Sequence, residues 1–199
     1  MRKREQGEFF GKSSGMLRVT GILWVILGGI YSSVLLGIGR MAAPSLAEGS
    51  LIRNESGTVI GSLRIAQRFS QAHYFWPRPS AVDYQASAAG GSNLPPASPE
   101  LARQVRERIS LLGGSAENPV PIELLAASGS GLDPHVTYAA AVFQAGRVSS
   151  ARGLDPASLL SWLAERKSPL INVLSLNIAL DERFGPPPVA GLPGRKEPR

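Results

Sequence analysis

The 199-residue chain has no cysteine and only two histidines. It therefore carries no disulfide framework, thiol nucleophile, redox pair or cysteine-based zinc site, and little with which to hold any other transition metal. Absence of cysteine does not by itself assign a compartment. Charge is also scarce, at 18% Asp, Glu, Lys and Arg beside 43% hydrophobic residues, 22 Gly and 16 Pro. That balance excludes both a disordered polyelectrolyte and a highly charged cytosolic helix bundle. No H-E-x-x-H or phosphate-loop signature occurs, and Asp83, Glu100, Glu107 and Glu123 form no recognisable catalytic pair. The residues carry no enzyme signature and imply no cofactor.

What charge there is lies at the ends. The net charge of +6 and pI near 10.2 invite a nucleic-acid reading. Residues 1–18 hold five basic and two acidic groups, residues 183–199 hold four and one, and residues 40–182 hold twelve of each. The body is neutral, so nucleic acid is not an expected partner.

Residues 19–39 run for 21 positions without a formal charge, which as a helix spans about 31 Å, the thickness of a hydrocarbon core. This predicts a transmembrane helix in the lipid bilayer. Arg2, Lys3, Arg4, Lys12 and Arg18 precede it, against only Arg40 and Arg53 within about fifteen residues after it. The excess places residues 1–18 in the cytoplasm as a basic tail and residues 40–184 outside as an extracytoplasmic domain. The competing reading is a cleaved signal peptide, since Ser45-Leu46-Ala47 has the form of a cleavage site, although the apolar run exceeds the usual core of such peptides. Within the span Gly29, Ser33 and Gly37 recur every four residues, with Gly21 two steps further back on the same face. Such spacing lets another helix approach closely, whereas a lone anchor would leave these residues facing lipid.

After a short linker, runs at 51–53 and 58–63 separated by Asn54-Glu55-Ser56-Gly57 predict a β-hairpin. His73-Tyr74-Phe75-Trp76-Pro77-Arg78-Pro79-Ser80 sets three aromatics beside two prolines and excludes a helix interior. Its side chains suit either core filling or a contact surface, since Tyr, Trp and Arg dominate binding hot spots. Ser98 and Pro99 open a helix of about fourteen residues with Leu101, Val105, Ile109 and Leu112 on one face, stopped by Gly113 and Gly114. A short helical piece is expected at 122–127. Asp133 and Pro134 are expected to cap and open a longer helix to about Ala151, with His135 one position inside it. Gly153 ends that helix, Asp155-Pro156 starts another to about Arg166, and Asn172 caps a buried last helix to Phe184. Residues 185–199, Pro- and Gly-rich and basic, are expected to form a disordered tail. The fold class is thus a single N-terminal membrane helix plus an exported α+β domain, mostly helical with a small β-hairpin and without internal repeat.

Ser128-Gly129-Ser130-Gly131 before Asp133 presents backbone N–H groups that suit either a structural turn or an anion at a helix start, although Asp133 repels phosphate and no parallel βαβ context exists.

Together, Gly61-Ser62, Gln67-Arg68-Phe69, Tyr74-Phe75-Trp76-Pro77-Arg78-Pro79-Ser80, Gly90-Gly91-Ser92-Asn93-Leu94, Ser128-Gly129-Ser130-Gly131-Leu132-Asp133-Pro134-His135, Asn172-Val173-Leu174 and Asn177-Ile178-Ala179-Leu180-Asp181 resemble the C subunit of the bacterial Kdp potassium-transporting ATPase. The similarity runs in order from the span to about residue 181 and departs from the family pattern at Arg64, Ala66, Pro95, Ser98 and Tyr138. It implies a non-catalytic accessory subunit of a high-affinity, ATP-driven potassium uptake complex in the bacterial inner membrane. The implied partners are a multi-span, potassium-channel-like subunit, a P-type ATPase subunit that performs the hydrolysis, and a small membrane subunit. Subunit-contact candidates are then Tyr74, Phe75, Trp76, Arg78, Ser92 and Asn93, and helix-packing candidates are Gly21, Gly29, Ser33 and Gly37. The family description adds a catalytic chaperone that raises the ATP affinity of the ATPase subunit, for which Ser128, Ser130, Asp133 and His135 are nucleotide-binding candidates. An exported domain meets no cytoplasmic ATP, so the topology favours assembly stabilisation and a cap over the outer entrance of the potassium-binding subunit. A third reading is an unrelated, membrane-anchored exported enzyme or binding domain.

Overall fold

The structure, a computed structural model, describes residues 15–187. The basic residues before position 15 and the tail beyond 187 lie outside the described residues. The chain divides into two compact units at Leu51 and Ile52.

The first unit contains a continuous helix, α1 (Gly15–Ala42), whose 28 residues make it long and apolar enough to cross a membrane. Its stretch Trp24–Tyr31 is π-helical. The Ser32 hydroxyl donates to the Leu27 carbonyl at 3.0 Å, five residues back. In an α-helix a row of every fourth residue drifts by about 40° per step. The wider π turn offsets that drift, so Gly21, Gly29, Ser33 and Gly37 keep closer to one line than α-geometry alone allows. A short helix α2 (Pro44–Ala47) follows.

The second unit opens with the expected hairpin, β1 (Leu51–Arg53) paired with β2 (Val59–Ser62). Asn54 organises the turn: its side-chain oxygen accepts from the Thr58 N–H at 2.8 Å and the Ser56 hydroxyl at 2.7 Å. On β2 the Gln67 carboxamide donates to the Ile60 carbonyl at 3.1 Å and accepts from the Ser62 N–H at 3.3 Å. Gly61 leaves the room for it, since a Cβ there would collide with that carboxamide.

Four helices follow the sequence closely. Helix α3 (Pro99–Leu112) is capped by Ser98, whose hydroxyl accepts from the Leu101 N–H at 3.4 Å, an interaction typically worth about 1 kcal/mol. Leu101, Val105, Ile109 and Leu112 are half-buried on its inner face. Helix α4 is a single turn, Ile122–Leu125. Helix α6 (Pro156–Glu165) starts at the Asp155 cap, and the last helix, α7 (Val173–Phe184), at the Asn172 cap.

One expectation is corrected. Asp133 does not cap a helix. The chain at His135–Thr137 is a strand, β3, and helix α5 begins only at Tyr138 and runs to Arg152, capped by Thr137. Strand β3 pairs antiparallel with β4 (Leu170–Asn172), setting His135 opposite Asn172 and Val136 opposite Ile171. The Asp133 carboxylate accepts from the His135 N–H at 3.0 Å, a local side-chain turn that resembles a cap in sequence without starting a helix. Val136 is fully buried, and β-branched residues at 136 and 137 favour the extended chain. The domain is therefore mostly helical with two small two-stranded sheets. Its core gathers Phe75, Val136, Val148, Leu159, Leu163 and Leu180.

Candidate functional site: an aromatic strap held by buried polar side chains

Residues 72–79 form no regular element, yet Phe75 is fully buried. A backbone passing through the interior must find partners for its N–H and C=O groups. Here helices supply them through side chains. The Asn177 carboxamide on α7 accepts from the Phe75 N–H at 2.9 Å and donates to the Phe75 carbonyl at 3.0 Å. The Gln144 carboxamide on α5 does the same for Trp76, at 2.8 and 3.1 Å. Arg147 donates to the carbonyls of Ala72 at 2.6 Å and Tyr74 at 3.0 Å. Arg152 donates to the His73 carbonyl at 2.7 Å. Every carbonyl from Ala72 to Trp76 thus accepts from a side chain, and the strap is held by side chains from two helices. Positions 144, 147 and 152 share one side of α5, as 177 and 181 share one side of α7.

Charge is matched along the strap. The Arg152 side chain, 2% exposed, meets Asp181 at 2.6 Å, and the Tyr74 hydroxyl donates to the other oxygen of that carboxylate at 2.9 Å. Burial, followed by this hydrogen bond to Asp181, pushes the Tyr74 phenol up. Burial and then the Arg152 charge hold the His73 imidazole below its usual value. Arg147 stacks 4.0 Å from the Trp76 ring centre. Burial lowers its pKa to about 10, leaving it protonated at neutral pH.

Beyond Trp76 the strap meets the glycine-rich loops. Arg78 pairs with Asp133 at 3.2 Å, and its carbonyl accepts from the Tyr84 hydroxyl at 2.9 Å. The Pro79 carbonyl accepts from the Ser128 N–H at 3.0 Å, and the Ser130 carbonyl accepts from the Gly90 N–H at 2.8 Å. The Leu132 carbonyl accepts from the Ala66 N–H at 2.8 Å. Gly131 sits at φ +68°, where a Cβ would stand 2.5 Å from Val82 and 2.9 Å from the Gly90 carbonyl oxygen.

These placements sort the residues expected from the sequence. Tyr74, Phe75, Trp76 and Arg78 lie on the strap, but the Phe75 ring is 0% exposed and belongs to the core, so as a contact residue it is corrected. Ser92 and Asn93 are exposed on the loop before α3, with Asn93 at φ +51°. Ser128 is buried, Ser130 is exposed, and Asp133 and His135 are half-buried. Because α5 starts at Tyr138, no helix N-terminus stands behind Ser128-Gly129-Ser130-Gly131. The helix start expected there to face an anion is not formed. The sequence reading missed Gln144, Arg147, Arg152 and Asn177, whose signal was a set of polar residues interrupting the apolar faces of α5 and α7.

The arrangement defines a class: a protein with one helix able to span a membrane and an α+β domain built around a clamped aromatic strap. The family model described as K+-transporting ATPase, c chain, KdpC, matches residues 14–182, and the chain belongs to this family. It is 44% identical over 174 residues to the potassium-transporting ATPase KdpC subunit of Parvibaculum lavamentivorans, covering 83% of this chain and 93% of that one. It is 40% identical over 183 residues to the subunit of the same name from Synechocystis sp., covering 84% and 96%. The subunit of that name from Geobacter sulfurreducens is 42% identical over 173 residues, covering 80% and 92%. The reading as an anchored enzyme or binding domain unrelated to this family is thereby overturned.

Proposed function

We propose that the protein is the non-catalytic accessory subunit of an ATP-driven potassium uptake complex of the bacterial inner membrane. In this reading α1 anchors it with residues 1–18 in the cytoplasm. The domain, with its boundaries near 40 and 184, lies outside, stabilises the assembly and caps the outer entrance of the multi-span, potassium-binding subunit. The P-type ATPase subunit hydrolyses ATP, and a small membrane subunit completes the set. The observation that carries the orientation is the charge asymmetry around α1, five basic residues before it and two soon after it. The alternative, a chaperone that raises the ATP affinity of the ATPase subunit, needs the domain in the cytoplasm.

The cysteine-free chain makes the test direct. Ser150→Cys places a single thiol on an exposed position of α5. In right-side-out cells whose outer barrier is removed, a membrane-impermeant maleimide is expected to label it without permeabilisation. Labelling only after permeabilisation overturns the orientation and restores the chaperone reading. Mass spectrometry of the same material is expected to find residues 1–40, and their loss would replace the anchor with a cleaved signal peptide.

The aligned small residues of α1 are read as the face that packs on a helix of the complex. Gly29→Leu and Ser33→Leu are expected to lower copurification with the multi-span subunit by about tenfold in mild detergent. Recovery equal to the unaltered protein would leave the helix as a plain anchor.

A further inference from the structure

Beside the strap lies a cavity of about 170 Å3 with Trp76, Pro77, Pro79, Tyr84, Arg108 and Leu111 among its lining residues. A polar cleft adjoins it, and Arg108 belongs to both, with Ser80, Ser92 and Glu100 on the cleft side. Arg108 is half-buried. Its guanidinium donates to the Leu125 carbonyl at 2.6 Å and to the Gln104 carboxamide at 3.2 Å. Among the described residues no carboxylate stands within ion-pairing distance of it. The carboxylates nearest in sequence are engaged elsewhere, since Arg103 binds Glu100 at 2.6 Å and Glu107 at 2.5 Å. Glu100 is thus already ion-paired on the cleft side, sharing Arg103 with Glu107. Arg147, stacked on Trp76, likewise has only carbonyl and carboxamide partners. Both arginines therefore have neutral hydrogen-bond partners alone, Arg147 stacked on Trp76 and Arg108 lining the cavity that Trp76 also lines. Burial depresses the pKa of both, and neither makes an ion pair among the described residues.

The apolar half of the cavity is unfinished too. Leu111 lines it while remaining 68% exposed. The volume is below the roughly 300–1,000 Å3 of small-molecule sites and suits one bulky side chain, the anchor type that dominates protein interfaces.

We propose that this cavity seats a short peptide segment of a partner subunit, with an Asp or Glu carboxylate facing Arg108 and an adjacent bulky apolar side chain covering Leu111 and Trp76. The inference rests on the cap reading above, and the partner is an extracytoplasmic loop of the multi-span subunit. A lipid surface is the outcome to be distinguished from it.

The test uses the full complex. Leu111→Cys, carrying a thiol-linked benzophenone, is irradiated and the crosslinked peptide identified by mass spectrometry. The expected product joins the multi-span subunit at a peptide holding Asp or Glu within two residues of a bulky apolar residue. Arg108→Glu is expected to cut the crosslink yield by at least tenfold, and reversing that partner carboxylate to arginine to restore it. Arg106→Glu, an exposed change on the same helix, is expected to leave the yield unchanged. Should Arg108→Glu lower the thermal midpoint, Arg108→Gln removes the charge while keeping a donor for the Leu125 carbonyl, and the same loss of yield is expected. Crosslinks to lipid, to no subunit or to a peptide without a carboxylate overturn the inference, as does an equal effect of Arg106→Glu. If Ser150→Cys labels from outside while Leu111 finds no such peptide, this inference alone has failed. If Ser150→Cys does not label from outside, the cap reading has failed with it.

Discussion

Full-length protein carrying Asn177→Leu is expected to lose about 2–5 kcal/mol of stability, read as a thermal midpoint lower by about 10 °C in detergent solution. Leucine has the same branched, four-heavy-atom side chain as asparagine and sits readily in a helix, so neither a large cavity nor helix propensity contributes much. What is lost is a pair of hydrogen bonds to a backbone with no other partner at that residue. The Phe75 N–H and carbonyl lie beside a side chain that is 0% exposed, where a stranded donor or acceptor costs about 1–3 kcal/mol. Gln144→Leu is expected to act in the same way on Trp76, and it also removes the carboxamide oxygen that accepts from Arg147 at 2.6 Å. Because both carboxamides hold consecutive residues of one strap, the double variant should lose less than the sum of the singles, since the first loss already loosens the segment gripped by the second. An unchanged midpoint for Asn177→Leu would mean that the strap is held by the Phe75 ring alone, and strict additivity of the pair would mean that the two clamps act independently.

The second large effect separates two glycines two residues apart. Gly131→Ala is expected to cost about 2–4 kcal/mol, the sum of a left-handed backbone forced on an L-residue and overpacking against a rigid neighbour. The obstacle includes the Gly90 carbonyl oxygen, 2.9 Å from the added Cβ, and Gly90 is itself tied to Ser130. The backbone therefore has little room to retreat. At Gly129 an added Cβ meets nothing within 4 Å and φ is not positive, so Gly129→Ala should change stability by less than about 0.5 kcal/mol. Urea unfolding of the full-length protein followed by tryptophan fluorescence measures both. A loop whose glycines serve to cradle an anion would tolerate both substitutions in stability and lose binding instead. Equal, small effects at 129 and 131 would favour that use over internal packing.

Much of the domain was readable because it depends on neighbours in sequence. The Asn54 turn, the Ser98, Asp155 and Asn172 caps and the glycine stops at 113 and 153 each act within four residues. The error at Asp133 has the same origin. A carboxylate accepting an N–H two residues on satisfies the local rule for a cap, and only the pairing of Val136 with Ile171 shows that the chain there is a strand. No turn residues announce that sheet, because its strands are separated by an entire pair of helices.

The amino-acid sequence by itself determined the apolar span, the neutral body between basic ends, the helices after residue 98 and, through its ordered motifs, the family. These follow from hydropathy, charge and hydrogen bonds made close along the chain. Only the tertiary structure decided what the aromatic strap is for mechanically: Phe75 is core, Trp76 and Tyr74 are clamped, and Arg108 is left facing a cavity. The clamps join residues 102 and 68 positions apart. Gln144 and Asn177 look like surface polar residues until the fold brings an unpaired backbone to them, because a buried peptide group takes its partner from whatever the packing places beside it.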